Sequence, residues 1–86
     1  MARQKKIKPS EALLKPREYR LRLGQNQGRF WMPLGTTQSG GSRYESERAI
    51  TTPVALLLVL REAGKISDED LADARAVVEA TRRTQA

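Results

Sequence analysis

Between Asn26 and Arg48 the chain reads NQGRFWMPLGTTQSGGSRYESER, and the reactive side chains there are amides, hydroxyls and guanidinium groups rather than nucleophiles. Gln38, Ser39, Ser42 and Arg43 recur at helical spacing on a segment whose only large apolar residue is Tyr44, so they form a row of hydrogen-bond donors and acceptors. Such a row recognises a surface; it does not cleave bonds. The sequence has no cysteine and no histidine, which removes thiol nucleophiles, disulfides, thiolate or imidazole metal sites and a histidine general base together. Its acids gather at Asp68, Glu69 and Asp70, where the start of a helix accounts for them. With no phosphate-binding glycine loop either, no enzyme, metal or cofactor is expected.

The charge distribution points to a phosphate-bearing partner. Residues 1–48 hold eleven Lys or Arg against four Asp or Glu, a net +7, whereas residues 49–86 hold five against six, a net −1. A basic half on a small domain with few aromatics favours salt-sensitive attraction to nucleic acid. Residues 1–8 contain Arg3, Lys5, Lys6 and Lys8 around a single large apolar residue, Ile7, and are expected to form a flexible basic arm. The longest apolar run, Val54 to Leu60, falls far short of the roughly 20 residues of a membrane span, and no signal-peptide core precedes it. A soluble, cytoplasmic chain is expected. At 86 residues it forms one domain at most, burying only about 60% of its unfolded surface, so a partner chain would add stability.

The elements that must hold the polar row follow from caps and stops. Ser10 caps a short turn, Glu11 to Leu14, which Pro16 interrupts. Pro16 opens a helix with Tyr19 and Leu23 on one face, Arg17, Arg20 and Arg22 outside, and Gly24 as its stop. Asn26 caps a second helix with Phe30, Trp31 and Leu34 inward, ended by Gly35 and shortened or bent by Pro33. Thr36 and Thr37 start a third, TQSGGSRYES, and Glu45 to Thr52 reads as a loop. Thr52 and Pro53 then cap and open a fourth helix, whose VALLLVL body wraps its whole circumference and is expected to be buried on most sides, partly in its own core and partly against another chain, with Gly64 as the stop. Ser67 caps the last helix, with Leu71, Ala74, Val77, Val78 and Thr81 as its apolar stripe. Residues 9–86 thus read as one helical domain, with 67–83 a C-terminal packing or dimerisation helix.

Gln27 opening the second helix, Phe30 and Leu34 in its core, Gly35 at the turn and TTQSGGSRYESER after it resemble the helix-turn-helix domains of phage repressors and Cro-like regulators, the xenobiotic-response-element type. The resemblance spans about residues 17 to 60. It implies an all-α, five-helix fold of the lambda-repressor type, with the third helix as the DNA-reading element. By the same resemblance Gln38, Ser39, Ser42 and Arg43 face base edges, where glutamine can pair with adenine and arginine with guanine. Asn26, Gln27, Arg29 and Thr37 hold backbone phosphates, and Gln27 also braces Gln38.

Three features depart from the family pattern. Pro33 stands where relatives usually carry a charged residue, and Glu47 replaces the glycine usual after the recognition helix. Trp31 replaces a small alanine and Gly41 an isoleucine, which reads as an exchange of volume between the second and third helices.

The resemblance implies a homodimeric transcription regulator of a phage, plasmid or similar mobile element, a repressor on double-stranded DNA with inverted half-sites. Two rivals share the fold: an antitoxin that represses its own operon and binds a toxin through the acidic last helix, and a protein-interaction module that does not bind DNA. Removing residues 1–8 is expected to lower affinity for duplexes of any sequence and to flatten its salt dependence, measured by anisotropy titration over a salt series. An unchanged salt slope would remove the arm from the interface.

Overall fold

A computed structural model describes residues 7–85. These form six α-helices and one 3-10 turn: α1 (Glu11–Leu14), α2 (Pro16–Arg22), α3 (Gln27–Trp31), the 3-10 turn (Met32–Leu34), α4 (Gln38–Ser46), α5 (Thr52–Glu62) and α6 (Asp68–Gln85). No strand occurs among the described residues. The fold is all-helical as expected, but the one-turn α1 is a helix in its own right, so the count is six rather than five.

Local signals set most of the boundaries. The Ser10, Asn26 and Thr37 side chains each accept a hydrogen bond from the N–H three residues on, at 3.1, 2.9 and 2.9 Å, satisfying donors that a helix start leaves unpaired. Ser67 and Asp70 exchange two such bonds, at 2.8 and 3.0 Å, which closes a capping box at the start of α6. The expected stops Gly24, Gly35 and Gly64 all have positive φ. At Gly35, φ is 88°, a left-handed turn that a Cβ would strain. Pro33 ends α3 after Trp31, and the chain continues as the tighter 3-10 turn. Glu47 leaves α4 at φ −150°, so the exit keeps a negative φ that requires no glycine.

Two boundaries differ from expectation. α4 runs on through Ser46, so the loop covers 47–51 and Glu45 is helical. Thr51, not Thr52, is the cap of α5, Pro53 falls in its first turn, and neither threonine side chain bonds to the helix start.

The core is a cluster of Ala12, Phe30, Trp31, Leu34, Leu58 and Leu71, with Tyr19, Tyr44, Ile50 and Leu57 packed at its edge. Phe30 meets Tyr19 and Trp31 edge-on at centroid distances of 6.0 and 4.9 Å, the arrangement ring quadrupoles favour. Glu62 at the end of α5 secures α1, accepting from the Ser10 hydroxyl at 2.6 Å and the Ala12 N–H at 3.3 Å. α6 is tied on by Leu71, by the Arg61–Asp68 pair at 2.8 Å and by Arg75 donating to the Met32 carbonyl at 2.6 Å.

Burial corrects several readings made from periodicity. Arg20, expected outside, is buried, and Leu23, expected inside, is exposed. In α5 only Leu58 is fully buried, while Leu56, Val59 and Leu60 form an exposed face. In α6 Leu71 is buried but Val77 and Val78 are exposed, because beyond Leu71 no residue of the helix is buried against the body. The Cα radius of gyration, 14.6 Å, exceeds the about 12 Å of a compact chain this long.

The exchange between Trp31 and Gly41 is a direct contact. A Cβ on Gly41 would overlap Cγ and Cδ1 of Trp31 and lie 2.7 Å from its Cβ. The missing side chain is therefore what lets α4 lie on α3 with the indole between them. Gly41→Ala is expected to lower the melting temperature, by about 1–3 kcal/mol of overpacking, and Gly41→Ile by more. Combining either with Trp31→Ala should remove most of the added penalty in a thermal-denaturation double-mutant cycle, and additive effects would refute the exchange.

Candidate nucleic-acid interface

The candidate interface is the outer face of α4 with the start of α3 beside it. Gly41 and Glu45, four residues apart, face inward, so Ser39, Arg43 and Ser46 are exposed on the opposite side. Gln38 is exposed at the first turn and Ser42 is half-buried beside it. All four residues expected to read bases therefore lie on or beside one solvent-facing surface. Thr37 precedes them, its hydroxyl oxygen occupied as the cap of Gly40. Gly40 is crowded as well, since a Cβ there would come 2.6 Å from the Thr36 hydroxyl, so the first turn of α4 folds closely on its own lead-in.

Asn26 and Gln38 converge on Gly28, where an added Cβ would lie 3.5 Å from Asn26 Oδ1 and 3.9 Å from Gln38 Oε1. The start of α3 and the start of α4 thus present polar groups side by side. Arg29 is exposed nearby, its backbone N–H held by Asn26. Gln27 takes a different course from the one expected, because its amide donates to Glu45 Oε1 at 3.3 Å and so braces the inner side of α4 rather than Gln38. Of the basic arm, Lys8 is exposed, while Arg3, Lys5 and Lys6 lie outside the described residues.

Glu45 is the residue that sequence reasoning missed. Its side chain is 3% exposed and that of Arg20 9%. Arg20 donates to both carboxylate oxygens, from Nε at 2.8 Å and Nη2 at 3.1 Å, and from Nη1 to the Gln25 carbonyl at 2.8 Å. Trp31 Nε1 adds a third donor at 2.7 Å and Gln27 a fourth. One carboxylate therefore ties α2 and α3 to α4. A signal was present: Glu45 sits one turn after Gly41 on the same inward side, and an inward carboxylate needs a cation to face it.

Burial pushes the Glu45 carboxyl up, but the hydrogen bonds from Arg20, Trp31 and Gln27, with the Arg20 charge, outweigh burial and leave its pKa below the ordinary glutamate value. A carboxylate whose folded-state pKa is depressed adds stability that is complete above its unfolded value and is lost as pH falls through the folded one.

A set of capped helices, with a turn at Gly35 leading from α3 to a polar-faced α4, is the arrangement of a helix-turn-helix DNA-binding domain. Residues 17–61, just over half of the chain, match the RsaL-like HTH domain family, and the chain belongs to that family. No curated protein and no solved structure matches it. The match covers α2 through α5 and includes every α4 residue named above, which agrees with the helix-turn-helix type expected from the sequence; it is to this family rather than to the phage-repressor subtype. Among the described residues no group of acids could hold a metal ion, and no helix is long and apolar enough to cross a membrane.

Glu45→Gln is expected to cost about 3–5 kcal/mol near neutral pH by leaving Arg20 buried without its counter-charge. In chemical denaturation the gap between the parent chain and the variant should narrow as pH falls below the glutamate range. A gap independent of pH would show that the ionised form of Glu45 is not what stabilises the fold.

Proposed function

We propose that this chain is a sequence-specific transcriptional regulator, a repressor that binds an inverted-repeat operator as a homodimer. The observation that carries the reading is the division of α4 into two sides. Its inner side is fixed by the buried Glu45 network and by Gly41 against Trp31, while its outer side presents hydrogen-bonding side chains without a large apolar residue. A helix positioned by buried contacts and bearing an uncommitted polar face is suited to a major groove.

In this reading Gln38, Ser39, Ser42 and Arg43 meet base edges, while Asn26, Arg29 and Thr37 meet phosphates and fix the register. The likeness of TTQSGGSRYESER to the recognition segments of phage repressors supports that division of roles. Gln27 acts from behind, through Glu45, and a phosphate contact from it would use whatever donor capacity that bond leaves. The exposed apolar faces of α5 and α6 support a dimer, since a second copy would bury them. Half-site centres then lie roughly 34–36 Å apart, and repression follows from blocking polymerase. The protein does no covalent chemistry in this scheme and acts in the cytoplasm, where its operator is.

Gel-shift titration against the DNA upstream of its own gene tests the proposal, with saturable binding to an inverted repeat as the expected result. Gln38→Ala should weaken operator binding by about 1–3 kcal/mol and relax preference at one base pair, with little change on random duplex. An equal loss on both duplexes would take Gln38 out of base reading. Weak binding indifferent to sequence by the parent chain would overturn the regulator itself.

A further inference from the structure

The chain leaving α4 holds a cation in a restricted position. The Arg48 N–H donates to the Arg43 carbonyl at 2.8 Å, as does that of Glu47, which turns the backbone tightly at the helix end. The Arg48 guanidinium lies over the Tyr44 ring, its Cζ 5.6 Å from the centroid. Tyr44 is anchored in turn, packing against Trp31 at a centroid distance of 5.3 Å and setting its hydroxyl 3.4 Å from that of Thr51. Through Tyr44, an exposed arginine is pinned to the buried indole.

A cation–π contact is made to the charge of a guanidinium and forms no hydrogen bond with its N–H donors. Arg48 enters no ion pair among the described residues, although Glu47 adjoins it. Its donors are therefore free while its orientation is limited, and a planar fork of this kind matches the paired oxygens of a phosphodiester.

The location matches that chemistry. Successive residues step by about 100° around a helix, so Ser42 flanks the outer face of α4 on the side shared with Gln38 and the start of α3, and Tyr44 flanks it on the other. A helix some 10–12 Å across fills a major groove about 12 Å wide, which brings a phosphate wall against each flank. Asn26 and Arg29 serve the α3 side. From Tyr44 to Thr51 the only cation is Arg48. Resting on the reading of α4 as the groove-binding helix, we infer that Arg48 is a preoriented phosphate contact that grips the DNA strand on the flank of α4 away from the start of α3, with Tyr44 as its positioning residue.

Anisotropy titrations of the full chain, on the upstream inverted repeat and on a random duplex of equal length, over about 50–200 mM salt, test this. Each phosphate contact contributes about 0.9 to the salt slope. Arg48→Ala should therefore lower the slope by about 0.9 per protomer and weaken binding about eightfold per protomer at 0.1 M salt, equally on both duplexes, with an unchanged melting temperature. Tyr44→Phe, which keeps the ring, should bind like the parent chain. Arg48→Lys should keep the slope and lose part of the affinity, since it retains charge without the planar fork.

A parental slope and affinity in Arg48→Ala would overturn the inference. So would a lowered melting temperature with the slope unchanged, which would make Arg48 a cover for Tyr44. Failure of the parent chain to bind either duplex saturably would instead overturn the DNA-binding reading beneath it.

Discussion

The orientation of α4 depends on one buried carboxylate. Glu45 receives hydrogen bonds from α2 through Arg20 and from α3 through Gln27 and Trp31, so one charge joins three helices beside their aromatic contacts. A lone carboxylate in that position would be too costly to keep ionised. The bidentate guanidinium and two neutral donors make it tolerable and make it directional, which apolar packing is not. Losing any donor would unsettle the angle at which the polar face of α4 is offered to solvent.

Close approach is the second requirement, and it is met by absence. α4 contributes Tyr44 as its only large apolar residue, and its two glycines lower its intrinsic helix stability by about 1 kcal/mol each relative to alanine. At Gly41 that cost is offset, because the indole of Trp31 occupies the place a side chain would take and reaches Glu45 with its N–H. The helix is weak alone and well defined in place. Its geometry therefore comes from α2 and α3, and the face it shows to solvent is left free of any structural task.

The two halves of the chain divide the work. The basic half carries the polar face of α4, and among the described residues its cations are exposed except for Arg20. The other half supplies Leu58 and Leu71 to the core and leaves the outer faces of α5 and α6 bare. For a domain that buries so little by itself, those faces are a reserve of apolar surface, and their placement on helices other than α4 means that covering them leaves the polar face open.

What the sequence determined by itself was local. Ser10, Asn26, Thr37 and Ser67 as caps, Gly24, Gly35 and Gly64 as stops, and Pro33 as the break in α3 were all legible, because a cap or a stop acts within one turn of chain. The polar row on α4 was legible for the same reason, and the volume exchange of Trp31 with Gly41 through resemblance. Only the tertiary structure decided which way Arg20 and Gln27 point, that Glu45 is a buried centre, and that Leu56, Val59 and Val77 stay outside. Periodicity assigns a residue to a face, but the free energy of burying that face depends on what meets it across space. The carboxylate that admits Arg20 to the interior lies 25 residues further along the chain.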